Sequence, residues 1–317
     1  MADLEDGKSG IPVIRVIGVG GAGGNAINTM IESGMESVEF VAIDTNVKDL
    51  HKCRTLKKFQ IGESLTRGLG AGSHPQLGQQ SAIQDRDRLV PVIEGADMIF
   101  IVAGLGGGTG TGASPVIAEI AGKDGALTVA LVTRPFDFEG RVRAAKARDG
   151  LKELRNYADS LIVIPNQRIL ELVDRSTSLV DAFNVSNNLI CHTVRNISSL
   201  ITGGGLISID FADMHTIMAG SGNAMMGVGE ASGEGKARKA AEKAITSPLL
   251  EVPMETARKV LVNISGNSDL GMKEVEEVMR IVHDAVDPDA AIIFGVIIDP
   301  DLGNSLRVTV IATSLDS

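Results

Sequence analysis

Between residues 11 and 174 the chain alternates short, predominantly apolar runs with longer amphipathic stretches. The runs cover 13–19, 38–44, 98–103, 127–133 and 160–165. They are continuous rather than alternating, the pattern of strands covered on both faces of a parallel sheet. Residues 25–33, 76–94, 114–122 and 139–154 between them have helical composition. Repeated strand–helix units predict a doubly wound α/β domain, with ligands bound beyond the carboxyl ends of the strands.

Further on, Leu179, Phe183, Ile190, Val194, Ile197 and Ile201 recur at helical spacing until Gly203, Gly204 and Gly205 stop the run. Residues 178–202 thus predict one helix ~37 Å long, enough to join two domains. Beyond it lie a helical stretch at 235–246, strands at 259–265, 291–298 and 306–313, and a helix near 272–285. The turn-rich connection 299–305 predicts a hairpin between the last two strands. The expected organisation is a flexible tail (1–10), a doubly wound domain (11–177), a central helix (178–202) and a smaller α+β domain (203–317).

Composition narrows the function. The 317 residues, 44% of them hydrophobic, suffice for two cores. A net charge of −10 and 3% aromatics argue against nucleic acid as a partner. No apolar run approaches the ~20 residues of a membrane span, so no membrane insertion is expected. Residues 1–10 lack a signal-peptide core. Cys53 and Cys191 are too few for a disulfide framework or a cysteine zinc site, and the five histidines show no ligand spacing. The expectation is a cytoplasmic protein with reduced thiols and no metal held by side chains alone.

The 37 glycines concentrate in loops. Residues 18–25 (GVGGAGGN) follow a strand and open a helix, where bare backbone approaches a phosphate and free N–H groups point at it. Gly18, Gly20 and Gly23 also satisfy the dinucleotide pattern, with Asp44 placed for a ribose. An NAD(P)-dependent oxidoreductase is therefore an open reading of this loop alone. A second loop, 104–112 (GLGGGTGTG), adds threonine hydroxyls, and a dehydrogenase needs only one such loop. A third, 68–72 (GLGAG), can close over a terminal phosphate. No phosphate-binding lysine motif GxxxxGK[ST] occurs, so the triphosphate charge falls to amides, helix dipoles and a bound cation.

At this point the chain resembles the tubulin/FtsZ superfamily over residues 11–317. GGGTGTG at 106–112 carries the resemblance most specifically. GVGGAGGNA at 18–26, LTRGLGAG at 65–72, TRPFDFEGR at 133–141, LIVIPN at 161–166, DFAD at 210–213, SPLLE at 247–251 and VTVIAT at 308–313 extend it. Short loops place it nearer the prokaryotic division GTPases than tubulin. The resemblance implies a Rossmann-like GTP-binding domain, a central helix and an α+β domain with a catalytic loop at 203–213. It implies GTP/GDP with Mg2+, and K+ as a further candidate cation. Gly20, Gly21, Ala22, Gly23 and Asn25 would hold phosphates with Gly104, Gly106, Gly107, Gly108, Thr109, Gly110 and Thr111. Gly70, Ala71 and Gly72 would close the site. Pro135, Glu139 and Arg143 would contact sugar and phosphate, and Asn166, Phe183 and Asn187 the guanine. Phe183 fits a core position on the helix equally well.

Asp210 and Asp213 would orient water and cation, with Ser208 beside them. They follow the far end of the long helix, so a second copy must supply them, which implies head-to-tail filaments; the resemblance implies the division site as their place. Membrane tethers would bind a C-terminal peptide absent from this chain. Three positions depart from the family pattern: Asn187 for the usual aspartate, Asp44-Thr45-Asn46 for Asn-Thr-Asp, and Ser208 for asparagine. Asn187 implies softer guanine selectivity, while Ser208 and the Asp44/Asn46 exchange keep open a nucleotide-binding filament protein with little hydrolysis. The basic stretch 51–58 reads as a solvated face, a lateral contact or a site for an acidic partner, and Met214, Met218, Met225 and Met226 as fillers of core or interface gaps.

Overall fold

The computed structural model describes residues 11–174 and 176–313; the tail expected over residues 1–10 lies outside them. The apolar runs form β1 (Ile14–Val19), β2 (Glu39–Asp44), β4 (Met98–Gly104), β5 (Leu127–Arg134) and β6 (Ser160–Pro165), with β3 (Lys57–Gln60) added beside β2. These six strands are parallel, in the order β3-β2-β1-β4-β5-β6. The sheet continues through β7 (Gly222–Ser232), β8 (Lys259–Gly266), β9 (Ala291–Ile298) and β10 (Ser305–Thr313), ordered β7-β10-β8-β9. Only three residue pairs, from Ser160↔Gly222 to Ile162↔Ala224, join β6 to β7.

Both faces are covered, as the unbroken apolar runs require. On one face the central helix Leu179–Ile201 buries Ile190, Val194, Ile197 and Leu200 against Val16, Phe100, Leu131, Ile162 and Ile311. Met214, Met218 and Met226 fill the same core, and Met225 is also buried. On the other face Ile17, Ile43, Ile101 and Val132 meet Ile117 and Leu154. A third core lies under the helices Lys236–Ile245 and Met272–Ala285, built on Val260, Val262, Val308 and Val310.

Four elements differ from the periodicity reading. The helix expected over 76–94 breaks at Asp85, which ends Pro75–Gln84, starts Arg86–Ile93, and accepts a hydrogen bond from the Gly62 N–H at 2.7 Å. The basic stretch runs into β3, a short edge strand whose exposed Lys57 and Lys58 block further pairing. The glycine-rich β7 carried no strand signal. Finally, the last two strands form no hairpin: β10 pairs antiparallel with β7 and β8, while β9 lies outside β8. The connection crosses the end of β8, where the Asp299 N–H bonds to the Gly266 carbonyl at 2.8 Å.

Candidate functional site

β1 and β4 lie side by side, Gly18 opposite Val102 and Val19 opposite Ala103. From β1 the chain runs outward to β2 and β3; from β4 it runs the other way to β5 and β6. This is the switch point of an open parallel sheet, where a crevice forms beyond the strand ends. It brings the two glycine loops face to face. The helices Gly20–Glu32 and Thr109–Asp124 begin there, aiming unpaired N–H groups into one space.

The resulting cleft has a volume of about 480 Å³. Gly20, Gly21, Ala22 and Asn25 line it from the first loop, and Gly104, Gly107, Gly108, Thr109 and Gly110 from the second. Asp44, Gly70, Ala71, Gly72, Pro135, Glu139, Arg143, Asn166, Phe183 and Asn187 complete the expected lining. Three expected residues stand outside it, for packing reasons. A Cβ on Gly23 would sit 2.4 Å from the Val102 carbonyl, so this glycine serves helix-to-sheet contact. Thr111 turns its buried hydroxyl to accept the Gly106 N–H at 2.8 Å. Gly106 itself, at φ +101°, backs onto Arg143.

Side-chain bonds lock the loops together. The Thr45 and Thr109 hydroxyls meet at 2.7 Å, and Thr66 Oγ1 donates to the Thr45 carbonyl at 3.2 Å. The Val47 N–H reaches the Gly68 carbonyl at 3.1 Å. Asn46 caps the helix Val47–Lys52 through the Lys48 N–H and donates its amide to Asp49 at 2.7 Å. Burial pushes the Asp44 carboxyl above its usual range, reinforced by Asp49 and opposed by hydrogen bonds from Asn46, Thr109 and Thr45.

The far end of the cleft suits a flat ring. Phe183 is 39% exposed, so it is no core residue; Phe136 holds it edge-on at 5.2 Å and stacks on Phe138 at 5.0 Å. Ser186 donates to Asn166 Oδ1 at 2.9 Å, which leaves the Asn166 NH2 to face the cavity. Ser186, Asn46 and Asp49 line the cleft without having been expected there. The signal for Ser186 was present: with Phe183, Asn187 and Ile190 it forms one i, i+3, i+4, i+7 stripe.

Arg143 is the only cation of the lining and pairs with Glu139 at 3.1 Å; Glu139 also accepts the Phe136 N–H at 2.9 Å. Among the described residues no cluster of three or more His, Cys, Asp or Glu could hold a metal. None of their helices is long and apolar enough to cross a membrane.

Asp210, Asp213 and Ser208 are exposed and absent from the cleft lining. Asp210 precedes the helix Phe211–Met218, Asp213 lies in its first turn, and Ser208 Oγ donates to the Gly205 carbonyl at 3.3 Å. Exposed apolar side chains fringe both places: Leu69, Phe138, Val142 and Val180 around the cleft, Leu206 and Ile207 beside the aspartates.

Residues 13–174 match the Tubulin/FtsZ family GTPase domain, and residues 222–316 the FtsZ family C-terminal domain. FtsZ from M. jannaschii, solved as an empty dimer, is 43% identical over 95% of this chain and 88% of that one, with TM-score 0.91. The Haloferax volcanii proteins CetZ1, a GDP-bound monomer, and CetZ2, a GTPγS-bound protofilament, share the fold at 21% and 24% identity. Each covers 96% of this chain; the match spans 95% of CetZ1 and 93% of CetZ2, with TM-scores of 0.81 and 0.79. Domain pair, fold and identity agree: the chain belongs to the tubulin/FtsZ family of GTPases.

Proposed function

We propose that this chain binds GTP in the β1/β4 cleft, polymerises head-to-tail, and hydrolyses GTP only where the next copy supplies Asp210 and Asp213. Guanine stacks on Phe183, with Asn166 donating and Asn187 accepting at its edge. The triphosphate lies across Gly20–Asn25 and Gly104–Gly110 and is closed over by Gly70–Gly72. Those loops offer amides and helix N-termini, which favour negative charge.

One arginine against Asp44, Asp49 and Glu139 leaves a triphosphate undercompensated. Mg2+ held by the phosphates themselves would supply that neutralisation, with K+ a second candidate. Asp49 is engaged by Asn46 and Lys52, and Asp44 by the Asn46 N–H, so neither is free to chelate without rearranging.

The observation that carries the reading is separation. From Asn187 to Ile201 the central helix rises ~21 Å, and the aspartates follow its far end. One molecule cannot bring both to one phosphate, whereas a copy stacked on the cleft can. A contact between unlike surfaces does not close and yields a filament. The M. jannaschii relative was solved as a dimer, and exposed apolar residues on both surfaces suit such a junction. There Asp210 orients the attacking water, Asp213 and Ser208 complete its hydrogen bonding, and loss of the γ-phosphate weakens the contact.

In the cell the filament would work in the cytoplasm at the division site, tethered to the membrane by partners outside this chain. GTP turnover measured against protein concentration tests the shared site. The expected result is a threshold coincident with light scattering; turnover proportional to protein from nanomolar levels would overturn it.

A further inference from the structure

The sheet face opposite the central helix carries a second crevice, of about 330 Å³, where β6 and β7 part. After their three paired residues β6 stays with β5 and β7 with β10, and a wedge opens between them. Leu161, Val163 and Met225 make its apolar floor. One wall is the helix Arg141–Leu154 with its continuation: Arg148, Leu151, Lys152 and Arg155 fall at i, i+3, i+4 and i+7, a single stripe. Arg134, at the end of β5, and Glu251 stand opposite and pair with each other.

The charge here runs against that of the molecule. In a chain of net charge −10, the crevice is lined by four cations and one carboxylate. Glu251 is already engaged by Arg134. Arg148, Lys152 and Arg155 are exposed, and their side chains have no hydrogen bond or ion pair with any described residue. None of them lines the nucleotide cleft or lies in the segment that carries Asp210 and Asp213.

The spacing says what kind of anion fits. From Arg148 to Arg155 the helix rises ~10 Å, more than one carboxylate or phosphate can span. An extended peptide places alternate side chains ~7 Å apart on one face and turns the intervening one to the other. Two carboxylates then meet the cationic wall while an apolar side chain settles on Leu161, Val163 and Met225. We propose that this crevice docks an acidic peptide segment of a partner protein, of the pattern acidic–apolar–acidic. Such a ligand would touch both parts of the sheet across their narrowest junction.

The test is fluorescence anisotropy of a labelled peptide Glu-Leu-Glu-Leu-Glu with the whole chain, at low and at physiological salt. Saturable binding is expected, weakened by salt. It should weaken at least tenfold in the Arg148→Glu/Lys152→Glu/Arg155→Glu variant, and at least tenfold when serine replaces leucine in the peptide. GTP turnover of the variant should equal that of the unmodified chain, because these side chains touch neither cleft nor aspartates. Equal binding by the variant, by the serine peptide or by a Lys-Leu-Lys-Leu-Lys peptide would overturn the proposal. So would recruitment to phosphatidylserine vesicles without peptide binding, which would assign the cations to a lipid surface.

Discussion

Asn166 shows how much of the site rests on a neighbour, Ser186, that was not expected in it. Its amide is 4% exposed and oriented by the Ser186 hydroxyl, so the donor end alone faces the cavity. Removing that hydroxyl frees the amide to rotate. Ser186→Ala should weaken GTP binding about five- to tenfold, the worth of one hydrogen bond, and, by leaving the buried Asn166 oxygen without its partner, destabilise the fold by about 1–3 kcal/mol. Titration with a fluorescent GTP analogue checks this, and unchanged affinity would contradict it. The glycine loops were legible because backbone approach to phosphate needs glycine, and the spacing of those glycines is itself the signal. Ser186 was legible only through its place on the stripe between Phe183 and Ile190, since a serine on a helix has many uses. Gly23, Gly106 and Thr111 illustrate the converse: they sit inside the phosphate motifs yet serve the packing that holds the loops. The oxidoreductase reading used the first loop alone and gives way to membership of a GTPase family.

Among the elements, β7 and the central helix carry the least expected chemistry. β7 has little β-branched character because a helix lies against it: a Cβ on Gly227 would come 2.1 Å from the Ala244 carbonyl, and on Gly229 2.0 Å from that of Ala240. The strand is glycine-rich for packing, and a reading based on β-propensity passes over it. Gly229→Val should therefore destabilise the fold by about 3 kcal/mol or more, read from denaturant unfolding. A loss under about 1 kcal/mol would mean the helix moves freely. The missed crossover has a similar origin: a turn-rich link between two strands reads as a hairpin, and nothing local reveals that β10 inserts between β7 and β8.

Across that junction the central helix presents His192 to Arg307, Nδ1 to Nη1 at 3.4 Å. Burial pushes the imidazole down to about 4, Arg307 and Arg195 adding to the shift and Asp299 and Glu230 opposing it. A lowered histidine means the unfolded chain binds the extra proton first. Its stabilising effect is thus complete above pH ~6.5 and is lost as pH falls toward 4. His192→Gln should flatten that stretch of the stability–pH curve by about 2–3 kcal/mol, measured by urea unfolding at pH 7 and pH 4.5. An unchanged slope would place the acid sensitivity elsewhere.

Across the whole molecule, one sheet joins a nucleotide cleft at its switch point to a second half reached through the long helix. The parallel half was legible because unbroken apolar runs report strands covered on both faces. The relation between cleft and aspartates was legible only as helix length, since two sites on one chain show no distance in sequence. On the proposed reading that separation turns a nucleotide-binding domain into a filament subunit, and it makes the two surfaces separable by mutation. Asp210→Ala should bind GTP and fail to hydrolyse it. Gly107→Asp should fold, because a Cβ there meets nothing within 4 Å, but should repel the phosphates and fail to bind. Mixing the two inactive variants is the most direct measurement: each supplies what the other lacks, so GTP turnover should reappear and peak near equal amounts. A mixture as inactive as its components would contradict an active site shared between copies.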